Sequence, residues 1–263
     1  GRFRLDASLA CLAAALLLQI GSNLANDVFD FERGTDTAGR LGPTRVTQAG
    51  LLTPAQVKGG MALAFGLAVL PGLFLVWLGG VPIVVVGIAS ILAAIAYTGG
   101  PFPLGYHGLG ELFVFLFFGL ASVAGTYYVQ AGSVSVAAWA MSVPAGLLVT
   151  AILVVNNLRD VEEDRRSGKR TLAVRLGERA TKVEYLLCLV LAYLALPLAA
   201  FLGLTPWAGL AAWLSLPLAF RAARVVGTQK GRPLNEALAV TGQTALAFSV
   251  LFWIGMLLAL RAR

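Results

Sequence analysis

Hydrophobic positions in this chain are gathered into long runs, and the polar positions fill the gaps between them. Eight runs are long enough to be read as membrane-crossing helices, over roughly 7–26, 56–78, 81–98, 111–131, 134–157, 180–203, 205–225 and 236–260. The third is short, and the break at Tyr97-Thr-Gly-Gly100 blurs where it ends. The gaps alternate in character. Gly79-Gly-Val-Pro82, Ala131-Gly-Ser133 and Gly203-Leu-Thr-Pro206 read as minimal uncharged turns. The connections at roughly 30–55, 99–110, 158–179 and 226–235 are longer. This pattern predicts an all-α fold, a polytopic membrane helix bundle of eight visible spans forming a single domain over residues 1–263.

Composition agrees. The chain is 58% hydrophobic and 13% charged with a mean hydropathy of +0.81, whereas soluble domains average roughly 25% charged residues. Spans and short connections use the whole length, so no separate soluble domain is expected. Of the 20 Lys and Arg residues, those away from the termini all fall in or beside the longer connections. Arg2, Arg4, Arg261 and Arg263 sit at the two ends. The positive-inside rule therefore places the longer connections on the cytoplasmic face of the cell (plasma) membrane. A net charge of +7 could suggest nucleic acid, but charges confined to this face point to a membrane surface and anionic substrates, with no nucleic-acid partner. Cys11 and Cys188 lie in separate apolar runs and indicate neither a disulfide framework nor a zinc site. The chain begins with Gly1 rather than Met, as expected of a fragment or a trimmed chain, and no secretory signal is visible near it.

Two acidic clusters stand out against this background. The first is Asn23-Leu-Ala-Asn26-Asp27-Val-Phe-Asp30, with Asp36 close behind. The second is Asn156-Asn157-Leu-Arg159-Asp160-Val-Glu-Glu-Asp164, followed by Arg165, Arg166, Lys169 and Arg170. In each, an Asn precedes an Asp by four residues, which puts both side chains on one helical face. Carboxylate and amide oxygens suit Mg²⁺, and flanking Arg and Lys suit phosphate oxygens. The pairing is that of a Mg²⁺–diphosphate site, with both clusters on the cytoplasmic face. A solvated helix end is the bland alternative. Against it, carboxylates at a helix C-terminus oppose the macrodipole, and amides inside an apolar run are costly.

These segments resemble the UbiA-type intramembrane prenyltransferases, which pair an Asn-x3-Asp-x3-Asp motif with a second aspartate motif on cytoplasmic helix ends. The resemblance extends through Gly34-Thr-Asp36, Gly42-Pro-Thr-Arg45-Val-Thr-Gln48, Tyr97 to Glu111 and Gly168 to Gly177. Within the family it is nearest to the branch that prenylates 1,4-dihydroxy-2-naphthoate in menaquinone synthesis. There are three departures. Gly34 stands where the general pattern has an aspartate, with Asp36 two residues later, as in the naphthoate branch. Pro101 stands where many members carry a lysine four residues after the tyrosine at Tyr97. The family fold has nine spans and eight are found, the first being the one missing.

The resemblance implies Mg²⁺-dependent transfer from a polyprenyl diphosphate to 1,4-dihydroxy-2-naphthoate, with loss of diphosphate and CO₂, giving demethylmenaquinone. Asp27, Asp30, Asp160 and Asp164 would be catalytic and would hold the metal with Asp36. Asn23, Asn26, Arg45, Tyr97, Asn156, Arg159 and Lys169 would bind substrate. Arg45 could meet either the diphosphate or the carboxylate of the acceptor. Tyr106 and Glu111 are further candidates to frame the aromatic ring, and Lys58 is a weaker one for diphosphate. His107, the only histidine, lies in a Gly- and Pro-rich loop and is read as structural. Tyr127 and Tyr128 read as an interfacial belt, and Gly119 and Gly125 as helix-packing positions. The bilayer is the expected partner, and the oligomeric state stays open. The rivals are another acceptor (4-hydroxybenzoate, haem or a chlorophyll precursor), a CDP-alcohol phosphotransferase, and an ion-coupled transporter using intramembrane carboxylates.

Overall fold

The structure is a computed structural model that describes residues 3–36 and 41–262. Arg2, Arg40 and Arg263, three of the basic residues weighed above, lie outside them. Eight long helices follow one another: α1 (Leu5–Glu32), α2 (Pro54–Gly79), α3 (Val81–Ala96), α4 (Gly110–Ala131), α5 (Val136–Arg166), α6 (Glu178–Phe201), α7 (Trp207–Thr228) and α8 (Leu234–Arg261). No strand occurs among the described residues. Seven of the eight are long and apolar enough to cross a membrane. The exception is α3, whose 16 residues span about 24 Å at the helical rise, short of the roughly 30 Å hydrocarbon core. Its length is set at one end by Gly80, with φ +64° and ψ −150°, and at the other by the Tyr97–Gly100 break.

By their contacts the residues form two units whose segments interleave along the chain. The first contains α1, α2 and α3, the last residues of α4, the loop 97–109 and residues 162–171. Its core at one end is Ala7, Leu75 and Val129, with Ala10, Cys11, Ala14 and Ile83 against them. Near that end Gln130 accepts from the Arg4 backbone N–H at 3.0 Å and donates to Arg4 O and Ser8 Oγ at 2.8 Å each. A half-buried amide of this kind is stable in an apolar setting because its oxygen and both its N–H groups are engaged.

The second unit holds the rest of α4, most of α5, and α6, α7 and α8. Its core is larger and rich in small residues: Ala151 and Val154 on α5, Ala192 on α6, Ala212 and Ala222 on α7, Ala237 on α8. Small side chains let helix backbones approach, which matters where lipid removes the hydrophobic drive for association. Two tyrosine hydroxyls join helices here, Tyr185 to Thr241 Oγ1 at 2.8 Å and Tyr193 to Ser215 Oγ at 2.5 Å. A Cβ on Gly119 would stand 2.5 Å from Gly146 Cα. Gly119 thus serves the packing role expected of it, while Gly125 faces open space. Outward faces carry exposed Leu9, Leu12 and Leu16 on α1 and Leu187, Leu191 and Leu194 on α6, as a lipid-facing surface requires.

A tight packing position in the second unit supplies a stability test. A Cβ on Gly255 would lie 2.0 Å from the Ala208 carbonyl oxygen, whereas one on Gly242 would meet nothing within 4 Å. We expect Gly255→Ala to cost about 1–3 kcal/mol through overpacking, seen as a lower thermal unfolding midpoint in detergent. Gly242→Ala should leave the midpoint unchanged or raise it slightly.

Candidate functional site

The first acidic cluster is shaped by how α1 ends. Thr35 N–H bonds to Asp30 O at 3.0 Å and Gly34 N–H to Phe31 O at 2.9 Å, the two bonds of a Schellman closure. That closure needs a residue at positive φ, and Gly34 supplies it at +69°. An aspartate at position 34 would carry the strain of a left-handed side-chain residue. The departure at Gly34 therefore has a backbone reason, and the acidic side chain falls instead at Asp36.

Asp27, Asp30 and Asp36 are all buried, and their partners differ, apart from Arg45, which stands by both Asp30 and Asp36. The Asp27 carboxylate accepts the backbone N–H groups of Val46 at 2.9 Å and Thr47 at 3.2 Å. Asp27 thereby anchors the turn carrying Arg45, a structural duty that its sequence gave no reason to expect. Asp30 Oδ1 accepts from the Tyr106 hydroxyl at 2.7 Å and Oδ2 from Lys169 Nζ at 3.0 Å. Arg45 lies 3.6 Å from Asp30 Oδ2 and 3.6 Å from Asp36 Oδ2. One arginine thus stands by two carboxylates, and one of those carboxylates takes a lysine from the loop after the second motif.

Tyr106 joins these segments. Its hydroxyl also pairs with Thr35 Oγ1 at 2.7 Å, its carbonyl accepts Arg170 N–H at 3.0 Å, and Lys169 Nζ lies 4.9 Å from its ring centroid. Burial, and then the charge of Asp30, raise its pKa above the ordinary tyrosine range, so it stays a proton donor. Other residues hold the surrounding loop. Thr98 donates to Asn26 Oδ1 at 3.0 Å, and the Arg33 guanidinium donates to Thr98 O at 3.1 Å and to Gly100 O. Asn23 accepts from Gln19 through its side chain and from Arg45 through its carbonyl. The half-buried Tyr97 packs its ring on Gly105 and accepts Gly105 N–H at its carbonyl.

The second motif lies on the last turns of α5. Its residues up to Val161 belong to the second unit and those from Glu162 to the first. In the second unit Arg159 is almost fully buried and heavily engaged. It donates to Asp160 through Nε at 2.7 Å and Nη2 at 2.5 Å, to Asn156 Oδ1 at 2.9 Å and to Asn235 Oδ1 at 2.8 Å. The neighbouring amide, Asn157, donates to Glu111 Oε1 at 2.7 Å. In the first unit Thr171 Oγ1 lies 3.4 Å from Asp164 Oδ2. The helix ends just beyond on Gly168, at φ +81°.

The chain matches the UbiA prenyltransferase family over residues 1–237. It belongs to that family. It is 42% identical to the 1,4-dihydroxy-2-naphthoate octaprenyltransferase of Mycobacterium tuberculosis, covering 92% of this chain and 81% of that one. It is 38% identical to the enzyme of the same name from Haemophilus influenzae, over 94% and 83%. It is 30% identical to the 2-carboxy-1,4-naphthoquinone phytyltransferase of Synechocystis, over 98% and 82%. A UbiA homologue from Aeropyrum pernix shares the fold, with a TM-score of 0.72 at 16% identity, covering 98% of this chain and 91% of that one. The protein is therefore a multi-pass membrane prenyltransferase.

Against this family the fit of the expected Mg²⁺ can be judged from the residues. Among the described residues no three Asp, Glu, His or Cys side chains converge as a ready metal cage. Mg²⁺ does not need one, since it takes one or two carboxylates and completes its shell with phosphate and water. Asp30 and Asp164 in the first unit, and Asp160 in the second, are buried carboxylates of that kind. The donor chemistry fits, although Asp30 and Asp160 are engaged by cations. His107 bonds Pro103 O at 2.8 Å and stacks on Phe102, while Lys58 pairs with Glu32. Thr35 sits inside the family-like Gly34-Thr-Asp36 segment without being singled out, and Asn235, next to the start of α8, lies outside every motif.

The anchoring bond of Asp27 leads to a direct test. Asp27→Asn would turn one acceptor into a donor facing a backbone N–H, a loss of about 1–3 kcal/mol for a buried group. We expect faster protease cleavage in the loop between α1 and α2, with cleavage elsewhere unchanged.

Proposed function

We propose that this prenyltransferase transfers a polyprenyl chain from its diphosphate to 1,4-dihydroxy-2-naphthoate, in a Mg²⁺-dependent reaction at the cytoplasmic face of the cell membrane. The observation that carries the diphosphate half of this reading is Lys169 on Asp30. It joins the loop after the second motif to the carboxylate of the first, with Arg45 beside them. The acceptor half rests on the relatives. Those named for octaprenyl and for phytyl transfer differ in the chain they carry, yet both are named for a carboxylated or carboxylate-bearing naphthalene ring. A carboxylated bicyclic ring is what these names share, so the acceptor class is inferred from them and chain length is left open.

In this reading the allylic C–O bond breaks and its electron pair leaves with the diphosphate. A bound Mg²⁺ would supply Lewis-acid neutralisation of that charge. Asp30 and Asp164 would hold it, Asp30 through the oxygen that now serves Lys169, and the motif spacing alone makes Asp160 a further candidate. Lys169 and Arg45 would take the remaining phosphate charge, the main stabilisation of the leaving group. Arg45 is assigned to the diphosphate rather than to the acceptor because it already stands beside Asp30 and Asp36. The ring carbon bearing the carboxylate attacks the allylic carbon. Loss of CO₂ returns the C–C electron pair to the ring, giving demethylmenaquinone in its quinol form. CO₂ departs where a proton otherwise would, so no ring base is required and His107 is not called upon.

Two assays test this. With one prenyl diphosphate and both acceptors, 1,4-dihydroxy-2-naphthoate should be prenylated with release of labelled CO₂ and 4-hydroxybenzoate poorly. Better turnover of 4-hydroxybenzoate without CO₂ would defeat the acceptor assignment. Asp160→Ala and Asp164→Ala should each lower turnover by about 10²-fold or more, as removal of key electrostatic groups does, with normal membrane insertion. Near-native rates at saturating Mg²⁺ in both variants would make the second motif structural.

A further inference from the structure

The partners of Asp30 are unequal, and the inequality suggests what Lys169 does. Asp30 is 3% exposed, so its charge must be balanced locally. Oδ1 is fixed by the Tyr106 hydroxyl at 2.7 Å, and that hydroxyl is itself held by Thr35. The carboxylate cannot turn without breaking this chain. Oδ2 is the oxygen left for cations, and Lys169 Nζ takes it at 3.0 Å, with Arg45 at 3.6 Å. Oδ2, which carries no hydroxyl hydrogen bond, is the oxygen a divalent ion binding Asp30 would share with Lys169 and Arg45. Metal–oxygen bonds of about 2 Å leave no room for an ammonium at hydrogen-bond distance on the same side, and the two cations repel.

Lys169 is built to move. Its backbone lies in the link between the end of α5 and the short helix Leu172–Leu176. Gly168 at φ +81° precedes it, and Arg170 N–H is tied to Tyr106 O at 3.0 Å. The main chain is held while a four-carbon arm carries the charge. An ammonium is a point charge without a fixed fork, so it changes anions at little cost in geometry. The Tyr106 ring, 4.9 Å from Nζ, offers a cation–π surface along which that change can occur.

We propose that Lys169 competes with the divalent ion for Asp30 Oδ2. It neutralises Asp30 in the protein alone and passes to the diphosphate when a metal–diphosphate arrives. This rests on the metal-dependent reading above. It adds that metal alone binds weakly and that metal and diphosphate bind together, because only the diphosphate gives the displaced ammonium a new anion.

The test is Mn²⁺ binding to the full chain in detergent, followed by electron paramagnetic resonance, with and without inorganic diphosphate and with Asp30→Asn as background. Lys169→Met keeps the apolar stem and removes the charge. It should bind Mn²⁺ alone about tenfold tighter than the native protein, the direction expected when a like charge is removed. It should also lose most of the gain that diphosphate gives native Mn²⁺ binding. Lys169→Arg should restore weak binding of Mn²⁺ alone, and a thermal unfolding midpoint near native shows that each variant is folded. A merely structural lysine would weaken metal binding when removed, so unchanged or weaker Mn²⁺ binding in Lys169→Met overturns the proposal and leaves the metal-dependent reading standing. No Mn²⁺ binding above background in either protein, with or without diphosphate, overturns both.

Discussion

A carboxylate buried at the end of an apolar helix is the constraint around which the first unit is arranged. Taking one charge out of water costs several kcal/mol unless a partner answers it, and at a helix C-terminus the backbone dipole adds to the cost. Asp30 is in that position. Its compensation comes from three places in the sequence: Tyr106 in the loop after α3, Lys169 in the link after α5, and Arg45 in the turn after α1. None of these segments is rich in apolar residues that could dock it by burial. Their shared obligation to one carboxylate gives each a reason to be where it is, and Asp27 then fixes the turn that brings Arg45.

The two motifs meet their charge in different ways. Asp30 is served by a flexible lysine and by an arginine at 3.6 Å. Asp160 is gripped by both Nε and Nη2 of Arg159, whose remaining donors hold Asn156 and Asn235. A planar guanidinium bonded on all three nitrogens is a fixed element, since moving it would orphan several buried groups together. The carboxylate of the first motif is therefore held adjustably and that of the second rigidly.

Much of this was legible in the chain. The runs of apolar residues located the helices, because in a bilayer composition nearly decides where a helix lies, but the helices carrying the two motifs run on through their polar residues, to Glu32 and Arg166, well past the ends of the apolar runs. The Asn–Asp spacing identified the two motifs, since the helical repeat leaves little choice about which side chains share a face. What could not be read was pairing across distance. Nothing in the sequence links Tyr106 to Asp30 or Asn235 to Arg159, and no periodicity reports a contact between loops. The third run reads as short in the sequence, and α3 indeed ends at Ala96, just before Tyr97 and the following glycines turn the backbone away.

The adjacent amides Asn156 and Asn157 show where spacing arguments stop. Successive residues on a helix point about 100° apart, so the two cannot share a task. Asn156 lies on the stripe of Asp160 and accepts from Arg159, whereas Asn157 turns to Glu111 on α4 and donates to its carboxylate at 2.7 Å. The motif spacing selected Asn156 and was silent about Asn157. Yet Asn157 meets an obligation of equal weight, since Glu111 is also a buried acid and the amide donates to one of its oxygens. One residue of the pair is placed by the motif and the other by a helix the motif never mentions. Replacing Asn157 would therefore strand a buried acid on α4 while leaving the Asn156–Arg159–Asp160 arrangement with all its partners.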